Sequence, residues 1–471
     1  MFDLENLTYL RTVHPFEWVL LVIYTVLLLG ISFFSQVKNI RHDALYRYYM
    51  LGLLAKIFSA VVFCLVYIYY YHGGDTVSYF ETSRALVNLG LENWGYMLRV
   101  MFTPPSAENY SLFDSSTGYP WTYMFYDPQT FFVAKLIAPI LFISFKSYLV
   151  STVVLSWLSF FGIWRLFKMM CRYYPAIDKR IAFAVLFLPS VLFWGSGILK
   201  DTVTFSAVCW FIVSLDSLAI LKQKRVKNGI ILIVSVFVLA SVKPYILISL
   251  LPGAIVWVFY SRISKIRSRF IKVVSIPFIY VASIGIGIGL LAALGDKLGK
   301  FSLEKMLVTA SVTQKDLKQD YYRGSSFDIG DFEPTIGGAV GKAPAALIVG
   351  LYRPFIWEAR NVVMLISGLE NLLYLFLSTV LVFRMITDPR RFFKVLLQNP
   401  ILIFLLSYAV LFSILVGLST SNFGALVRFK IPFLPAFVSF LLILNYYLGT
   451  DAIARERQSR LAAKRLKGIT T

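Results

Sequence analysis

Long apolar stretches separated by short polar ones run the length of the chain. The strongest are Phe16–Phe34, Met50–Tyr71, Tyr148–Met170, Ile181–Gly197, Thr202–Leu221, Gly229–Val242, Tyr245–Tyr260, Ile271–Leu294, Asn361–Phe383, Ile401–Leu418 and Phe429–Leu448. Each is near the roughly 20 residues that a helix needs to cross a bilayer. No hydrophilic stretch between them is long enough for a separate soluble domain. The pattern predicts an all-α, polytopic integral membrane protein with about eleven crossings. It forms a single transmembrane domain over 1–471, with loops 72–128 and 296–342 on one side.

Basic residues cluster at 38–47, 165–180, 222–227, 261–272, 384–394 and 454–468. Such clusters mark cytoplasmic loops. All six fall on the inner side if the apolar segments Gln129–Phe145 and Ala343–Ile356 enter and leave on the outer side, as re-entrant or surface helices. The N-terminus is then outside, and the basic tail 449–471 is cytoplasmic. The first residues, "MFDLENLTYLRTVHPFEW", lack the basic region and cleavage site of a secretory signal, so no segment is expected to be removed.

Composition sharpens this picture. The 471 residues are 58% hydrophobic and 15% charged, with a mean hydropathy of +0.71; a soluble chain would carry about 25% charged residues. The net charge of +21 is accounted for by orientation and anionic lipid, which leaves no role for nucleic acid. Cys64, Cys171 and Cys209 lie in or beside spans without metal-like spacing and read as small buried side chains.

This topology places 72–128, the turn Ser196–Asp201, Lys243, 296–342, "RPFIWEAR" (353–360) and "STSNFGALVR" (419–428) on the external face. These segments hold nearly every polar residue without an orienting task. Within them, "GGDTVSYF" follows a span directly. Gly73 and Gly74 allow a sharp turn and close ligand approach. The residues after them predict an amphipathic helix lying on the membrane, with Asp75 or Thr76 as its N-cap. Asp75 either only caps that helix or serves as a general base at headgroup level.

A span followed by a Gly/Asp stretch, a tyrosine and surface helices resembles the first external loop of the GT-C glycosyltransferases. These multi-span enzymes take sugar from a polyprenyl-phosphate carrier. The resemblance implies a GT-C-like fold and gives Asp75 the catalytic position. Where many members carry a paired carboxylate this chain has "GGDT", so a second acid would come from Glu81, Asp114 or Asp127. The chain also lacks the sizeable C-terminal soluble domain of some members.

Cations are expected around the same face. In "LPSVLFWGSGILKDTVTF", Pro189 kinks the span, and Lys200 is a point charge for phosphate that Asp201 holds. A plain surface turn is the alternative. "PS.LFW.SG..KD" is also similar to a pattern in bacterial multi-span envelope proteins. Lys243 either joins Lys200 or snorkels to water. Arg353, Glu358 and Arg360 in "LYRPFIWEARN" suit phosphate contact and sugar stacking, or an internal ion pair that fixes the loop. Arg428 and Lys430 precede the last span, as in O-antigen polymerase-like proteins. Glu370 is a candidate as an ionisable intramembrane residue, with pairing to Asn371 or an arginine as the alternative. Asp216, near a cytoplasmic end, is set aside.

Loop 296–342 ends in "RGSSFDIGDFEPTIGG", a candidate lid or an ordinary loop. Asp328, Asp331 and Glu333 are able to hold a divalent cation but show no fixed ligand spacing, and His72 is isolated; metal is not indicated. The expected activity is sugar transfer from a polyprenyl-phosphate donor to a glycan or lipid-linked acceptor. It would take place at the external face of a bacterial inner membrane, in envelope polysaccharide synthesis, by a transferase or polymerase. The alternatives are a transporter or flippase for a lipid-linked or anionic solute, and a non-catalytic assembly partner in the envelope.

Overall fold

A computed structural model describes residues 13–263, 303–317, 319 and 326–449, with isolated positions at 275, 278–279, 281–282 and 285. Most of the expected span Ile271–Leu294, residues 296–302, 318 and 320–325 of loop 296–342 and nearly all of the basic tail lie outside the described residues. Among the described residues all regular structure is helical, apart from one antiparallel bridge between Ser326 and Asn422. Seven helices are long and apolar enough to cross a membrane, or eight when one pair bent by 69° is taken as a single span. The chain is therefore a multi-pass membrane protein. These eight match eight of the expected stretches. Of the other three, Ile181–Gly197 is split into two short helices, Tyr245–Tyr260 is shorter than the long spans, and Ile271–Leu294 is mostly not described.

The chain divides into two compact units, Met1–Leu247 and Ile248–Thr471. In the first, α1 (Pro15–Ile40), α2 (Tyr49–Leu65), α3 (Asp75–Glu92), α4 (Trp94–Phe102), α5 (Ala107–Tyr110), α6 (Thr122–Phe125) and α7 (Pro128–Ile143) are followed by α8 (Tyr148–Tyr173), α9 (Asp178–Leu186), α10 (Pro189–Trp194), α11 (Lys200–Leu215) and α12 (Arg225–Val242). The ends of the long helices sort the charges into two faces. One face carries Arg47 on Asp178, Lys168 on Asp43 at 2.6 Å, and Arg172 on Asp216. Asp216 is thus a buried structural partner. The opposite face carries Glu17, bonded at 2.6 Å by Ser147, together with Asp75, Asp127, Lys200, Asp201 and Lys243.

Helix α3 differs from the expected surface helix. Eleven of its residues, from Thr76 to Gly90, are buried. Thr76 meets the Tyr148 hydroxyl at 3.0 Å, and Phe80 packs edge-on against the same ring. Gly74, at φ 116, is the N-cap in place of Asp75 or Thr76. The Cβ that it lacks would stand 3.0 Å from the Tyr67 ring. The small and hydroxylated residues of "TVSYFETSRALVNLGL" let neighbouring helices close on both sides, which a one-sided apolar stripe would not.

α13 (Pro244–Ile263) straddles the boundary. The second unit then holds α14 (Leu303–Asp316), α15 (Ile336–Tyr352), α16 (Val362–Thr387), α17 (Pro389–Gln398), α18 (Pro400–Ser419), α19 (Phe423–Phe429) and α20 (Leu434–Leu448). Helices α15 and α18 pack backbone to backbone: a Cβ on Gly350 would meet the Ser413 carbonyl at 2.1 Å, and one on Gly417 the Ala346 carbonyl at 2.1 Å. Close approach through small residues is how helices associate where no hydrophobic effect drives them. Segment 326–333 is anchored: Phe327 donates its N–H to Ser421 at 2.8 Å and stacks on Phe423, while Phe332 is buried with Ala346 and Leu418.

Candidate functional site

In the first unit α3 and α7 run in the same direction. Ser83 donates to the Ala134 carbonyl at 3.0 Å, and further along both helices Lys146 donates to Asn88 at 3.1 Å. Their N-termini therefore lie at the same end, Asp75 starting one and Asp127 capping the other through Thr130 N–H at 3.2 Å. Tyr123 of α6 joins them. Its hydroxyl is in hydrogen-bonding reach of Ser78 and in the electrostatic range of the Asp75 carboxylate, although the side chain as a whole is exposed. Four residues later, Asp127 lies 3.6 Å from the Lys200 ammonium, which donates to the Thr130 hydroxyl at 2.6 Å. Asp75, Tyr123, Asp127, Thr130 and Lys200 thus occupy one end of the unit. A base beside a cation is what proton abstraction with departure of a phosphate requires.

The expected pairing of Lys200 with Asp201 is corrected. Asp201 bonds Lys243 at 2.5 Å, in a pair whose side chains are 1% and 7% exposed. Successive residues at the head of α11 point about 100° apart on the helix, so the two charges turn to different partners. Lys243 does not snorkel.

Lys200 and Asp201 follow a buried turn. Between α10 and α11, residues 195–199 are non-helical and buried as the chain reverses direction, and buried carbonyls need partners. Each of three successive carbonyls receives a buried donor: Gly195 from Lys56 of α2, Ser196 from Ser156 of α8 at 2.6 Å, and Gly197 from Thr202 of α11 at 2.6 Å. Gly197 admits no side chain, because a Cβ would stand 2.1 Å from Phe63. Lys56, 1% exposed, is an intramembrane amine used as a clamp.

The other acids considered beside Asp75 are spoken for differently. Asp114 accepts from Ser116 and Thr117, which hold its pKa down. Glu81 is paired with Arg84 at 2.5 Å; burial raises its pKa to about 7, while Arg84 pulls it back.

The second unit holds its own group. Arg353 is bidentate on Glu358, with Nε at 3.0 and 3.1 Å from the two carboxylate oxygens, and Glu358 also accepts from the Phe355 N–H at 2.8 Å. The Arg353 guanidinium lies 4.7 Å from the centre of Phe327 and 5.1 Å from that of Phe423. This is the loop-fixing ion pair. Buried Lys430 donates to the Arg353 carbonyl at 2.5 Å, and Asn371 to that of Pro354 at 3.0 Å. Glu370 is buried, accepts from Tyr374 at 3.2 Å, and lies in the electrostatic range of Lys430. Arg360 is exposed, and Arg428 sits 5.6 Å from the centre of the Phe429 ring. Among the described residues no three His, Cys, Asp or Glu gather as metal ligands, Asp328, Asp331 and Glu333 included.

Sequence reasoning missed Tyr123, Thr130 and Lys56. The first two were hidden among many hydroxyl-bearing residues of the same loop. Lys56 carried a signal, a lone lysine in the middle of an apolar run. No family model, no curated protein and no solved structure matches the chain.

Proposed function

We propose that the protein transfers a sugar from a polyprenyl-phosphate carrier to a hydroxyl acceptor at the face that carries Asp75. The observation behind this reading is the placement of Asp75 and Lys200 at one end of the first unit, with Tyr123 in the electrostatic range of Asp75 and Asp127 3.6 Å from Lys200. Asp75 takes the proton of the acceptor hydroxyl as its oxygen bonds to the anomeric carbon. The bond from that carbon to the phosphate oxygen breaks, and the carrier leaves as the phosphate, whose growing charge Lys200 stabilises. The opposite face, with its Arg47–Asp178 and Arg172–Asp216 pairs, is then cytoplasmic, and the site faces outward from a bacterial inner membrane.

The test uses full-length protein in nanodiscs with undecaprenyl-phosphate-linked glucose, mannose, galactose and arabinose, following release of carrier phosphate. Asp75→Asn is expected to slow cleavage about a hundredfold or more without changing the melting temperature. Wild-type turnover in that variant removes the assignment. Transport of a lipid-linked solute is the second reading, favoured by the bent pair α19–α20. It predicts flux of the same lipids between leaflets of proteoliposomes, without cleavage.

A further inference from the structure

The segment between α4 and α7 contains a set of aromatic rings that neither proton abstraction nor phosphate departure uses. Tyr110 is near parallel to Tyr119 and Tyr126, at 6.2 and 5.8 Å between centres with interplanar angles of 29° and 25°. Its hydroxyl is fixed at 3.2 Å from both the Pro120 carbonyl and the Thr122 hydroxyl. Phe125 backs it edge-on at 5.1 Å and is itself fully buried against Phe131. In front of this rigid support Tyr123 and Tyr126 are exposed, at 58% and 46%.

The surroundings of those two rings select the ligand. The Tyr123 hydroxyl is within hydrogen-bonding reach of Ser78 and in the electrostatic range of Asp75, and Tyr126, three residues on along the helical turn of α6, shares its face. Hydrocarbon tails gain nothing beside a carboxylate, and a purely apolar partner would leave it desolvated. A pyranose ring offers what this surface complements: one flat C–H face for an aromatic ring, and hydroxyls at its edge for hydrogen-bonding groups. Rings held in advance lose little freedom on binding.

Building on the transfer reading, we propose that Tyr123 and Tyr126 form the sugar subsite, on which a pyranose stacks with its hydroxyl edge toward Ser78 and Asp75. The probes are methyl α-D-glucopyranoside, methyl α-D-mannopyranoside and methyl β-D-galactopyranoside, applied to the full chain in nanodiscs and followed by saturation-transfer NMR. At least one is expected to bind saturably. Tyr126→Ala or Tyr123→Ala should weaken it about tenfold, while Tyr126→Phe, which keeps the ring, retains it. Tyr126→Leu keeps the volume but not the flat face and serves where the alanine variant folds poorly; it too should weaken binding. Absence of saturable binding by all three glycosides overturns the subsite. So does wild-type affinity in the alanine variants, or quenching of Tyr126 by brominated lipid, which would seat the ring in the bilayer. Glycoside binding and carrier cleavage are separate readouts. Binding through Tyr126 in a protein that cleaves no carrier-linked sugar would therefore end the transfer reading and leave the subsite standing.

Discussion

Lys200 in the first unit and Arg353 in the second have nearly the same exposure, 21% and 20% for their side chains, yet their surroundings differ in kind. Arg353 is locked by two carboxylate oxygens, two aromatic rings and a lysine on its own carbonyl. Lys200 donates to a neutral hydroxyl at 2.6 Å and lies 3.6 Å from the Asp127 carboxylate. A planar fork matched by a carboxylate is a structural joint, whereas a point charge loosely balanced beside a second acid is suited to exchange partners. Density of charge in a sequence therefore does not distinguish a joint from a site. The distances do.

The largest expected effect lies in neither region but directly behind Lys200. Asp201→Asn or Lys243→Met alone should cost about 3–5 kcal/mol by leaving a buried charge unpaired. The double variant should regain most of that, read as melting temperature in detergent. Little recovery in the double variant would mean that the two side chains act separately. Next, Glu358→Gln should lower stability by about 1.5–3 kcal/mol and leave undecaprenyl phosphate binding unchanged. Lys200→Gln should do the reverse, weakening that binding about tenfold while moving stability by under about 1 kcal/mol. Equal effects of the two substitutions on binding would erase the contrast between the regions.

The smallest effect concerns Glu81. Its carboxyl holds a proton up to about pH 7 in the folded protein, against 4.5 as the ordinary value. The contribution of that proton to stability is complete below about pH 4.5 and is lost as pH rises through 7. The melting temperature of Glu81→Gln relative to wild type should therefore climb between pH 5 and pH 8. A flat difference would show that Arg84 fully compensates the carboxylate.

Much of the architecture was legible because hydropathy reports spans directly: eight expected stretches coincide with helices. What stayed hidden was pairing. Lys200 and Asp201 are neighbours in sequence, but their partners, Thr130 with Asp127 and Lys243, are fixed by how α7 and α12 pack beside α11, and no local pattern records that. The burial of α3 was missed for a related reason. A helix rich in Thr, Ser, Gly and Ala looks half-polar on paper, and only its neighbours reveal that those small side chains exist to be covered.

The clamp on residues 195–199 carries one more consequence. Backbone carbonyls freed from helices inside membrane proteins serve elsewhere as sodium ligands, so that local shape follows the surrounding salt. Here the donor that meets the Gly195 oxygen is covalently tethered through Lys56. The position of the loop bearing Lys200 should accordingly be the same in sodium, potassium or choline buffers, and a residue as unremarkable as Met at position 56 should make it ion-sensitive.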